Sequence, residues 1–177
     1  MSCYAQRKGL CMSKANLLIL GAGQYGQVVR ETAQAMETFA KICFLDDNSS
    51  DAAGKLADYE KFSGEYTCAF VAVGNPVLRA KWLDQLEAAG FKLPILIHPK
   101  AYVSPSATIG QGTVVEPMAV VNTGATVGKG GLLCAGCVVN HNADVADCCQ
   151  IDCKAVVAAG AQVPEGTKVA SGTVYER

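Results

Sequence analysis

His141 is the first residue in this chain whose type suggests chemistry. It lies between Asn140 and Asn142, with Asp144 close by. Histidine is the side chain whose ordinary proton affinity falls near neutrality, so an exposed one is a candidate general base. The bland alternative is a structural polar group. The second feature is Gly21-Ala22-Gly23-Gln24-Tyr25-Gly26, which follows the aliphatic run Leu17 to Leu20. Glycines in that setting let the backbone approach a diphosphate, and a helix opening there offers free N–H groups and partial positive charge. Asp46 and Asp47 end a second aliphatic run, Asp46 twenty residues after Gly26. They could accept bonds from a ribose or a uracil N–H. Gly74-Asn75 ends a third run and would border the same crevice. Ordinary turns use these residue types too. Three such loops converging at strand carboxyl ends favour a site.

These groups need elements to hold them. Asn16 to Leu20, Ile42 to Leu45 and Cys68 to Val73 read as buried strands, and Ile95-Leu96-Ile97 as a last short one. Gln27 to Met36 reads as a helix with Val28, Val29, Ala33 and Met36 available for burial. Val77 to Ala89 reads as a second, with Leu78, Trp82, Leu86 and Ala89 on one stripe. Alternating strands and helices predict a small Rossmann-like parallel α/β unit over residues 15–98. It follows a loosely ordered leader, residues 1–14, to which no function is assigned. The unit is one mononucleotide half, too small for a dinucleotide, so NAD is not expected.

The rest of the chain is organised in sixes. From Val103 to Val169 an aliphatic residue recurs at every sixth position, twelve times without an insertion. A small residue precedes each by two places, from Ala101 to Thr167. This is the hexapeptide β-helix pattern. Three hexads make one triangular coil, so about four coils fill a second domain over residues 99–177. His141 then falls at a corner, with Thr123 and Ala159 stacked one coil away on either side. Cys134-x-x-Cys137 with Cys148, Cys149 and Cys153 has the residue types of a zinc site. The hexad phase puts Cys137 and Cys149 in the small-residue register, pointing away from Cys134 and Cys153. Buried thiols are therefore expected, and no metal. His98, before Pro99, reads as structural.

Composition narrows the classes. Half of the residues are hydrophobic, 18% are charged, and the net charge is -1. That fits a compact fold and gives no electrostatic case for nucleic acid or an anionic membrane. No apolar run reaches the roughly 18 residues of a spanning helix. Nine cysteines without an export signal point to a reducing, cytoplasmic setting.

Taken together the motifs resemble the hexapeptide sugar acyltransferases similar to sialic acid O-acetyltransferase and to the UDP-4-amino-sugar N-acetyltransferases of bacillosamine synthesis. The resemblance covers about residues 15–165. It rests on Gly21 to Gly26, Phe44-Leu45-Asp46-Asp47, Ala72-Val73-Gly74-Asn75, Leu96-Ile97-His98-Pro99, Val103 to Ala107, and Val138-Val139-Asn140-His141. It implies a left-handed β-helix. It also implies a nucleotide-sugar held by Gly21, Gly23, Gln24, Tyr25, Gly26, Asp46, Asp47, Gly74 and Asn75. The β-helix would form a homotrimer with acetyl-CoA between neighbouring subunits. His141 would take a proton from the acceptor as it attacks the thioester, with Asn142 orienting the ring. The Ala159 N–H would face the oxyanion, and Gln150 would lie near acetyl-CoA. Four departures stand out. Asn142 replaces a frequent acid, Gln150 a frequent second histidine, and Tyr25 a frequent loop histidine, and the relatives' β-helix runs several coils further. The expected function is an acetyl-CoA-dependent acetyltransferase acting on a UDP-linked amino sugar. The alternatives are a nucleotide-sugar binder that has lost transfer, and an O-acetyltransferase acting on a sialic acid-like sugar.

Overall fold

The computed structural model describes residues 14–177; the expected leader lies, Lys14 apart, outside the described residues. Strands β1 (Ala15–Leu20), β2 (Phe39–Leu45) and β3 (Cys68–Val71) form a parallel sheet in the order β2-β1-β3. Leu17 to Leu20 of the central strand are fully buried. A strand covered on both faces needs an unbroken apolar run, and the period of two sends alternate side chains to each helix layer. Leu17 and Ile19 meet Val29 and Ala33 of α1 (Gln24–Ala35). Leu18 and Leu20 meet Leu83 and Leu86 of α2 (Pro76–Ala88).

The first helix buries Val29 and Ala33 as expected, while the second buries a different stripe from the one expected. α1 begins three residues early, at Gln24, and Val28 is exposed. In α2 the buried residues are Arg79, Leu83 and Leu86, while Leu78 is exposed. The cause in α2 is Arg79, whose side chain turns inward and is 1% exposed.

The remainder is a triangular β-helix of two-residue parallel strands, of the left-handed class that the resemblance implies. The first face stacks Leu96–Ile97, Val114–Val115, Leu132–Leu133, Gln150–Ile151 and Lys168–Val169. The second stacks the strands at Val103, Val121, Val139, Val157 and Tyr175, and the third those at Ile109, Val127, Val145 and Val163. Both hexad registers fill the interior: Val121, Leu133, Val139 and Ile151 lie with Ala119, Cys137, Ala143 and Cys149 in one apolar core. The prism starts earlier than expected. Leu96–Ile97 pairs with Val114–Val115 and so belongs to the β-helix, not to the α/β sheet. Val174–Tyr175 adds a strand at the far end. Ile97 and Tyr175 keep the six-residue phase.

A third register sets the corners. Gly112, Met118, Gly124, Gly130, Gly136, Asn142, Cys148, Lys154, Gly160, Gly166 and Gly172 all have φ between 54° and 70°. From Gly112 onward each corner holds one left-handed residue, and glycine adopts that conformation without a Cβ penalty.

The α/β unit sits on the first face. Leu96, Val114 and Leu132 point out from it into the cluster of Leu17, Ile19 and Val29. Arg79 completes the contact. Its guanidinium donates to the carbonyls of Gly130 at 2.8 Å, Val73 at 2.8 Å and Gly74 at 3.0 Å, and also to that of Cys148. Arg79→Met should destabilise the chain by about 3–5 kcal/mol, since it strands buried carbonyls that had charged donors. Denaturant titration measures this, and a loss below about 1 kcal/mol would show that these carbonyls are readily resolvated.

Candidate functional site

The glycine loop closes the carboxyl end of β1. Gly21 has φ 106°, and a Cβ there would lie 2.8 Å from the Ala72 carbonyl oxygen. A Cβ on Gly26 would lie 2.1 Å from the Gly21 carbonyl oxygen, so this glycine serves close helix–strand packing. Gly23 differs: it is the N-cap of α1, and a Cβ there would meet nothing within 4 Å. No side chain caps α1, and its first turn holds no acid. The open space over Gly23 therefore faces free N–H donors at a helix N-terminus, which suits an anion.

The acidic pair is used partly within the loop. Asp46 accepts from the Ala22 N–H and the Asn48 N–H, both at 2.8 Å. These bonds, led by that from Ala22, hold its carboxyl below the usual range. Asp47 accepts from the Leu56 N–H at 3.1 Å. Asn75 caps α2, accepting from the Leu78 N–H at 3.1 Å. Gly74 gives its carbonyl to Arg79. Thus Gly21, Gly23, Gln24, Tyr25, Gly26, Asp46, Asp47, Gly74 and Asn75 do gather at one end of the sheet, several as the turn residues that shape it.

Tyr25 points away from solvent toward the prism. Its hydroxyl is buried beside Glu116 and Cys134. Burial, then the charges of Cys134 and Glu116, pushes the phenol well above its ordinary value. Burial likewise raises Glu116, which accepts from the Ala135 N–H at 3.0 Å. Most of the cysteines singled out are core residues, but Cys153, expected as a buried thiol, is exposed because its place falls at a corner of the prism. Cys137 and Cys149 are fully buried, and burial pushes the Cys137 thiol up to about 12. His98 takes a local bond, accepting at Nδ1 from the Lys100 N–H at 3.0 Å.

His141 lies exposed at the corner between the second and third faces. Its backbone N–H donates to Asn140 Oδ1 at 2.8 Å, and Asn122 Nδ2 reaches the same oxygen at 3.3 Å. Asn140 and Asn122 thus form a polar ladder under the histidine that the sequence reading did not single out. Asn142 makes no hydrogen bond to the ring among the described residues; it is the left-handed corner residue, with φ 57°. Above it, Ala159 is exposed and its N–H has no acceptor among the described residues. Gln150 is elsewhere, on the first face, with Nε2 donating to Asp152 Oδ1 at 3.0 Å. An apolar cavity of about 920 Å³ opens at the first coil, beside Ile97, Tyr102 and Ile109, away from both groups.

Residues 16–86 match the model of the PglD N-terminal domain. Over 109 residues the chain is 32% identical to UDP-N-acetylbacillosamine N-acetyltransferase of Bacillus subtilis (strain 168). That alignment covers 56% of this chain and 50% of the relative, so the chain matches about half the length of that curated relative. The acetyltransferase domain of PglB from Neisseria gonorrhoeae FA1090, solved with acetyl coenzyme A, superposes with a TM-score of 0.86 at 35% identity. That match covers 91% of this chain and 82% of that one. A mutant of GDP-perosamine N-acetyltransferase from Caulobacter crescentus, in complex with CoA and GDP-perosamine, superposes with a TM-score of 0.81 at 23% identity. It covers 92% of this chain and 89% of that one, and shares the fold.

The glycines should separate by substitution. Gly26→Ala, which drives a Cβ into a carbonyl, should cost about 1–3 kcal/mol. Gly23→Ala should cost less than about 1 kcal/mol and show its effect on anion binding instead. Thermal melts of both, with UDP titrations, check this; equal destabilisation would remove the special status of Gly23.

Proposed function

Because the chain belongs to the PglD-type family of hexapeptide sugar acetyltransferases, we propose that it moves an acetyl group from acetyl-CoA to a nucleotide-linked amino sugar, with His141 as general base. The observation that carries the reading is the pairing of an uncapped glycine loop with an exposed histidine corner in one chain. UDP is the nucleotide of choice, following the name of the 32% identical relative. His141 takes a proton from the acceptor amine as nitrogen attacks the thioester carbonyl. The new C–N bond forms, the C–S bond breaks, and the proton passes to the departing thiolate. The free Ala159 N–H, one coil above, suits the carbonyl oxygen as it gains negative charge. Small residues at the stacked corners, Thr123, Ala159 and Gly160, leave room for acetyl-CoA beside the ring.

The same geometry supports a homotrimer. In a triangular prism the corner between the second and third faces is opposite the first face. The apolar core therefore separates His141 from the glycine loop of its own chain. The two can share a substrate only between copies, and Gln150, on the first face, can approach His141 only across the same boundary. A cyclic trimer supplies such a boundary three times.

A second reading, a nucleotide-sugar binder without transfer, draws support from Asn142, whose amide makes no bond to His141. One experiment separates the two. Wild-type protein should bind acetyl-CoA and release CoA thiol with a UDP-4-amino sugar. His141→Ala should keep both binding steps and lose about 10²–10⁴-fold in turnover. Nucleotide binding without acetyl-CoA binding selects the second reading, and a monomer in light scattering removes the shared site.

A further inference from the structure

We infer that Lys168 binds the phosphates of the nucleotide-sugar, from the floor of the crevice that the glycine loop overhangs. This deepens the nucleotide-sugar reading above and rests on it.

The outward residues of the first face form one column, a residue per coil: Leu96, Val114, Leu132, Gln150, Lys168. The first three are buried under the α/β unit. They cluster with Ala22 and Ala72, which lie just past the ends of β1 and β3. The column turns polar where the covering sheet stops. Neighbouring strands lie about 4.8 Å apart, which puts Gln150 about 5 Å and Lys168 about 10 Å beyond Leu132.

Two contacts set the height of the crevice walls. On one side Tyr25 of the glycine loop reaches the level of Glu116 and Cys134. On the other, Pro76 follows Gly74-Asn75 and meets the prism at Gly166, where a built Cβ would lie 3.5 Å from the Pro76 Cβ. Gly166 and Lys168 belong to the same coil. The loop after β3 therefore stands level with Lys168.

The charges agree with the placement. Asp46, Asp47 and Asp152 are acidic, and Arg79 is committed to four carbonyls. A helix N-terminus supplies only about half a positive charge, which is little against a diphosphate. Among the described residues, Lys168 is the cation in the outward column of the first face. Its Nζ lies 3.2 Å from Asp152 Oδ2, and Gln150 Nε2 donates to the other Asp152 oxygen at 3.0 Å. Asp152 thereby holds both side chains on the floor. The lysine side chain stays 59% exposed, and an ammonium has two further donors to offer.

The test is calorimetric titration of UDP, GDP and UMP into the full chain, with acetyl-CoA as a control for folding. Lys168→Ala should weaken UDP about tenfold and UMP less, leave acetyl-CoA affinity in place, and flatten the salt dependence of UDP binding. Lys168→Arg should restore most of the affinity. Asp152→Asn keeps the ammonium and removes its ion pair, so it should bind UDP at least as tightly as wild type. Two results overturn the assignment alone: Lys168→Ala binding UDP like wild type, or Asp152→Asn losing as much as Lys168→Ala. Wild type binding neither UDP nor GDP overturns the nucleotide-sugar reading itself, and Lys168 with it.

Discussion

A buried guanidinium joins the two halves of this molecule. Arg79 is 1% exposed, and no carboxylate pairs with it among the described residues. Its charge is met by backbone dipoles from both sides: Val73 and Gly74 of the α/β unit, Gly130 and Cys148 of the prism. Desolvation lowers its proton affinity, opposed first by Cys148 and Tyr25. Burial of a charge is costly unless it is fully hydrogen-bonded, so this set tolerates little sliding between the halves. Leu83, packed against Gly112 and Gly130, adds a steric stop. The glycine loop therefore meets a fixed height on the coils, and that height decides which residues of the first face lie beneath it.

The prism then determines which groups can cooperate. Its coils stack one above another, so a residue's neighbours are those eighteen places away. Each corner column has its own character. The one above Gly112 is small, because Leu83 and Pro76 press on it. The one at Asn122 and Asn140 is polar and supports the histidine. Since the apolar interior lies between the faces, nothing on the first face can touch the histidine corner of the same chain.

Much of this was readable because a six-residue period has few structural solutions. Val103 to Val169 could hold phase only as a prism, and the glycine loop needed only a strand before it and a helix after it. The misses have local causes. Ile97 was in phase with Val103, but its neighbours in sequence made it look like a strand of the α/β sheet. The corner register is visible too, in Gly112, Gly124, Gly130, Gly136, Gly160, Gly166 and Gly172. Counting by eighteen would have put Gln150 and Lys168 above Leu132, on the face away from His141. Arg79 was beyond reach: four carbonyls from distant segments draw it inward, and no helical periodicity announces them. Asp46 was ambiguous in principle, because an aspartate that shapes a glycine loop and one that binds a ribose occupy the same place in sequence.

Asn142 shows how far structure can specify a residue beside an exposed histidine. Its backbone must be left-handed, with φ 57°, and asparagine tolerates this better than most side chains. Its amide then lies over the corner below, where a Cβ on Gly124 would come within 2.5 Å of its Oδ1. The underside of the histidine corner is thus closed. The upper side is open: a Cβ on Gly160 would meet nothing within 4 Å, and the Ala159 N–H is free among the described residues. The open side of His141 is therefore the Ala159 side, where an N–H stands without an acceptor among the described residues. The corner conformation that favours asparagine therefore also closes one side of the histidine, without any bond from asparagine to the ring among the described residues.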